Sequence, residues 1–177
     1  MKKLTYYLAA LVLLTFASCK KSKPDSNGLP AVTQDGKNTL GFLLNGQSWK
    51  PQGNNGTANL SIDFDAGVNN GIFSLSAYKI INSSRRQRFG LGIKDSLNLI
   101  SIPKTYILGN GTLYGAAYAD DICTFDYFDS TINRSGNLTI TKLDRTNRII
   151  SGTFSATLTK AGCAEVKITD GRFDMKF

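Results

Sequence analysis

The chain predicts an all-β fold, an antiparallel β-sandwich or barrel of about ten to thirteen short strands. Three observations carry that expectation. From about residue 38 the apolar residues recur with a period of two, no stretch of ten or more residues carries a helical face, and Gly, Asn, Asp and Ser punctuate the apolar runs.

The first two expected strands, 39–44 and 47–50, flank Asn45-Gly46, residues that both tolerate the positive φ of a type I′ turn. A two-residue loop there pairs Leu44 with Gln47, Leu43 with Ser48 and Phe42 with Trp49. In 60–64, Leu60, Ile62 and Phe64 alternate with Ser61 and Asp63. The run 72–80 follows, and then 88–94, where Phe89, Leu91 and Ile93 oppose Gly90 and Gly92. Shorter runs at 98–102, 105–108, 112–118, 122–128 and 138–143 also read as strands. In 149–158, Ile150, Phe154 and Leu158 oppose Ser151, Thr153, Ser155 and Thr157. One face of each strand is therefore buried and the other wet. The last two runs, 165–169 and 172–177, flank Asp170-Gly171. A hairpin there pairs Ile168 with Phe173 and Val166 with Met175 on one face, and Lys167 with Asp174 and Glu165 with Lys176 on the other. A bulge inside one long strand is the competing reading.

The chain has 177 residues and a net charge of +8, from 21 basic and 13 acidic residues. Lys2, Lys3, Lys20, Lys21 and Lys23 precede the first acid, Asp25, so 16 basic face 13 acidic residues beyond position 24. The basicity belongs to the front of the chain and does not point to nucleic acid.

That front has the grammar of an export signal: Lys2 and Lys3, an apolar run of 13 residues from Leu4 to Phe16, then Ala17-Ser18-Cys19. As a helix the run spans roughly 20 Å, short of the ~30 Å hydrocarbon core. The segment 16–19 resembles the bacterial lipobox, with Phe16 where Leu is usual. That resemblance implies cleavage after residue 18 and a lipid-bearing Cys19, whose acyl chains would anchor the protein to a membrane. An ordinary secretory signal is the alternative. The next segment, through residue 37, is rich in Pro, Gly and charge, and reads as a flexible tether. The expected division is thus a signal peptide at 1–18, a lipidated cysteine and tether at 19–37, and one β domain at 38–177.

Beyond Cys19, only Cys123 and Cys163 remain. In an oxidising compartment such a pair favours a disulfide over two free buried thiols. The chain contains no histidine, which excludes Ser-His-Asp and Cys-His catalysis and His-ligated zinc. The expectation is a non-enzyme without a cofactor. Asp120, Asp121, Asp126 and Asp129 form the most acidic stretch. They read first as a solvated rim, second as an oxygen-ligand calcium site, and third as a carboxylate pair for glycoside hydrolysis. Trp49, Tyr114, Tyr118, Tyr127 and Phe128 are candidates for a ligand-stacking platform, against the plainer reading as core or rim. Arg85, Arg86 and Arg88 form a small basic patch on a hairpin rim.

The front of the chain, the segment GFLLNGQSWKP at 41–51, and the endings IISGTFSATL and VKITDGRFDMKF resemble uncharacterised lipoproteins of the Bacteroidota. The resemblance implies outer-membrane anchoring, with the periplasmic and the surface-exposed orientation both open; it implies no reaction. The expected function is a cell-envelope lipoprotein whose non-catalytic β domain binds a ligand or an envelope protein, or serves a structural role. The alternatives are a carbohydrate-binding accessory of a glycan-uptake system and an aspartate-based hydrolase.

Overall fold

The computed structural model describes residues 23–112 and 114–177. The signal segment, Cys19 and the first tether residues lie outside the described residues. The described residues form two antiparallel sheets packed face to face, a sandwich rather than a barrel.

The strands are β1 (Thr39–Leu44), β2 (Gln47–Trp49), β3 (Leu60–Asp65), β4 (Ile72–Ile80), β5 (Arg86–Ile93), β6 (Lys104–Gly109), β7 (Tyr114–Ala119), β8 (Thr124–Phe125), β9 (Asn133–Asp144), β10 (Ile149–Thr159) and β11 (Val166–Lys176). One sheet has six strands in the order β2-β1-β11-β10-β9-β6; the other has five, in the order β3-β4-β5-β7-β8. The first hairpin has the expected register, Phe42 opposite Trp49 and Leu44 opposite Gln47, with Asn45 at φ 48° and Gly46 at φ 82°.

Between the sheets the aromatic residues of the inner faces interlock. The Phe42 ring stacks on Trp49 at 4.6 Å and meets Phe89 of the opposite sheet at 4.7 Å; Phe89 stacks on Phe154 at 5.3 Å, and Phe73 on Phe173 at 5.5 Å. Trp49 Nε1 donates to Gln87 Oε1 at 2.8 Å, so the buried indole keeps a partner while tying the two sheets together.

Three expectations about the strands need correction. The final hairpin is one continuous strand, β11, with a bulge: Ile168 pairs with Ala156 but Gly171 pairs with Phe154, and Asp170 sits at φ 53°. A bulge and a two-residue hairpin both put Ile168 and Phe173 on the same face, so alternation cannot separate them. Gly171 is required here because a Cβ would lie 2.6 Å from the Phe154 ring. The expected pairs Lys167–Asp174 and Glu165–Lys176 do not form; Lys167 lies opposite Thr157, and Asp174 opposite Ser151. The expected strand 98–102 is instead a 3₁₀ turn at Leu97–Leu99. It is docked on the β3–β4 turn by Leu97 N and Asn98 N, which donate to Gly71 O and Asn70 O. The expected strand 122–128 shrinks to the two residues of β8, because Asp120 and Asp126 capture local amides that a longer ladder would need.

The tether also needs correction from residue 25 onward. Leu29 is fully buried, and Pro30 packs so closely on β1 that a Cβ on Gly41 would fall 2.5 Å from its Cδ. Arg172 Nη1 donates to Asp25 Oδ2 at 2.8 Å. The buried carboxylate of Asp174 accepts the Thr33 hydroxyl and the amides of Asp35, Gly36 and Lys37. Residues 25–37 therefore form a strap over the outer face of the six-stranded sheet.

Candidate functional site

The centre of the outer face of the five-stranded sheet is built mostly from small side chains. Register places Ser61, Ser76, Gly90 and Ala117 in one row across β3, β4, β5 and β7. The next row is Asp63, Ser74, Gly92 and Gly115. Alternation turns the large neighbours Leu75, Phe89 and Leu91 into the core, so the outward positions leave a shallow floor. Glycine inside a strand marks a place where something approaches the backbone closely.

That something is Tyr127, from the loop after β8. Its ring lies across the glycines: a Cβ on Gly115 would be 3.0 Å from Tyr127 Cδ1, and one on Gly90 3.1 Å from its Oη. The ring divides the face into two cavities. One, of about 380 Å³, has Ser61, Ser76, Tyr78, Gly90, Ala117 and Thr124 in its lining. The other, of about 510 Å³, includes Val68, Ile72, Lys94, Tyr114, Phe128 and Arg134. The Tyr127 hydroxyl is buried without a hydrogen-bond partner. Burial, followed by the charge of Asp126, holds its pKa well above the ordinary phenol value, so it stays a neutral donor.

Several constraints hold the loop that carries Tyr127. Cys123 and Cys163 form a disulfide with S–S 2.09 Å and Cα–Cα 6.0 Å. Lys160 Nζ donates to Asp129 Oδ2 at 2.8 Å, and Arg134 donates through Nη1 and Nη2 to the carbonyls of Asp126, Asp129 and Ile132. The hydrogen bonds from Lys160 and Thr131 hold the Asp129 carboxyl far below the usual carboxylate range.

The aspartates of the acidic stretch accept backbone amides. Asp120 accepts the amides of Ile122 and Cys123, Asp126 that of Phe128, Asp129 that of Thr131, and Asp121 that of Arg86 on β5. Among the described residues, no group of three or more His, Cys, Asp or Glu could hold a metal ion. These four aspartates shape loops.

The stacking candidates separate. Trp49 and Tyr118 are buried in the core. Tyr118 lies opposite Phe89 on the inner face of β7, which decides its direction. Tyr114 is half-buried against Tyr106, at 4.7 Å, and edges the larger cavity. Phe128 is 82 % exposed, and Tyr127 and Phe128 are the candidates that reach the outer face. Arg85, Arg86 and Arg88 do line a rim, around a polar depression shared with Asp120 and Asp121. The glycine stripe, Lys94 and Arg134 were missed by sequence reasoning. The signal was present in FGLGI and YGAAYA, where glycine occupies outward strand positions. Compared with protein-family models, curated proteins and solved structures, the chain finds no match.

Proposed function

We propose that this protein is a lipid-anchored binding module of the cell envelope, without catalytic activity, whose ligand lies across the outer face of the five-stranded sheet. The observation that carries the reading is the Tyr127 ring laid on Gly90, Gly92 and Gly115, with a cavity on either side. A strand floor kept this small over two rows contributes little to the core, and its shape serves contact with something outside.

Anchoring through Cys19 fits the same picture. The strap begins at Asp25, so the link from Cys19 reaches at most ~20 Å when extended. The strap covers the outer face of the six-stranded sheet, opposite the ligand face. A short lead attached there leaves the five-stranded face free to meet a ligand.

The test is a binding screen of residues 20–177, which hold every contact described above, against envelope glycans, lipids and proteins, read by NMR. The expected result is that a saturable ligand perturbs the amides of Ser76, Gly90, Ala117 and Tyr127. Ligands that perturb only the strap or the β6 edge would refute this face as the site.

A further inference from the structure

We propose that the larger cavity takes an anionic amphiphile, an apolar chain or ring system ending in one carboxylate. This deepens the reading of the five-stranded face as a binding face and rests on it.

A volume of about 510 Å³ lies within the range of small-molecule sites. Val68 and Ile72 give apolar walls, and Phe128 leaves an aromatic ring largely in solvent at the rim. Exposed apolar surface beside a concavity is a mark of a binding site.

Charge then selects the ligand. Among the described residues, the charged ones lining the cavity are Lys94 and Arg134, with no carboxylate in the lining. The Lys94 ammonium sits 3.7 Å from the centroid of the Phe128 ring and 5.7 Å from that of Tyr127. No ion pair to Lys94 forms among the described residues. Two further lining residues carry donors without acceptors: among the described residues, the Tyr127 hydroxyl and Arg134 Nε are both buried without a hydrogen-bond partner. Buried donors left unpaired are rare and call for an explanation. Three donor groups, two of them cationic, belong to the lining, while Asp126 and Asp129, close enough to act on Tyr127 and Arg134, line no part of it; that is a setting for an anion. The apolar walls define what the anion must be attached to. A neutral glycan would satisfy the donors but leave the Phe128 and Val68 surfaces without an apolar partner.

The test is titration calorimetry and NMR of residues 20–177 with dodecanoate, 2-naphthoate, dodecyl maltoside and dodecyltrimethylammonium, each below its micelle concentration. The expected result is saturable binding of a carboxylate, with shifts at Tyr127 and Phe128. It should be at least about tenfold tighter than binding of the neutral and cationic amphiphiles, and should weaken with salt. Tighter dodecanoate would assign an acyl ligand and tighter 2-naphthoate an aromatic one. Lys94→Gln and Phe128→Ala, both at exposed positions and so harmless to folding, should each weaken it by about tenfold. Equal affinity for all four probes, or no binding of either carboxylate, overturns the proposal. If a glycan then perturbs Ser76, Gly90 and Ala117 instead, the binding face survives and only its ligand class falls. If no probe or glycan touches this face, both fall.

Discussion

The hydroxyl of Thr33 donates to Oδ2 of Asp174 across 2.6 Å, joining the strap to the last strand, β11. The same carboxylate accepts the hydroxyl of Ser151 at 2.8 Å through Oδ1. Asp174 is thus the post around which the strap is wound. Asp174→Asn keeps the shape but replaces an acceptor oxygen by a donor facing amides. The expected loss is about 2–3 kcal/mol by urea unfolding, together with new protease cleavage within residues 25–37. A variant that stays both stable and uncut would sink the assigned role.

Acid should act at the same place. Burial raises the Asp174 pKa, but the hydrogen bonds from Thr33, Ser151, Gly36 and Lys37 outweigh it, and the net shift is below the ordinary value of 3.8. A lowered folded-state pKa means that this stabilisation is complete above pH ~3.8 and is lost as pH falls through the folded value. Unfolding free energy should therefore hold level across neutral pH with respect to this group and decline below pH ~4. The decline should be shallower in Asp174→Asn. Parallel acid profiles for the two proteins would contradict the linkage.

The Cys123–Cys163 bridge spans a sequence separation of 40 residues. On the chain-entropy account such a closure contributes about 4 kcal/mol. Reduction should lower the melting temperature and increase amide exchange in residues 120–132, the loop that places Tyr127. Unchanged exchange there after verified reduction would show that Arg134 and Lys160 suffice to hold it.

Gly115 tests the glycine stripe. Its Cβ position, 3.0 Å from Tyr127 Cδ1, leaves no room for a branched side chain. Gly115→Val should lift the ring from the sheet at a cost of about 1–3 kcal/mol and alter tyrosine fluorescence. Ile107→Val, exposed on β6 of the other sheet, serves as the control and should leave Tyr127 in place.

Removal of the anchor has a simple readout. Cys19→Ala should move the protein from the membrane to the soluble fraction without changing its melting temperature. Retention in the membrane would rule out lipidation as the anchor.

By itself the sequence determined the all-β class, the first hairpin with its Phe42–Trp49 register, and the alternation of β3, β5 and β10, since a period of two and an Asn-Gly turn act locally. A strand's inward and outward rows were legible for the same reason, including the glycines at 90 and 92. Tertiary structure decided what local pattern leaves degenerate. A bulge and a hairpin at Asp170-Gly171 give the same alternation, and only the pairing of β11 with β1 on one side and β10 on the other selects the bulge. Residues 25–37 have the composition of a tether, yet Arg172 and Asp174, distant in sequence, hold them down. Aromatic residues look alike in one dimension. Packing sent Trp49 and Tyr118 inward and left Tyr127 on the outer face, because burying apolar area between two sheets is a property of the pair of sheets rather than of either strand.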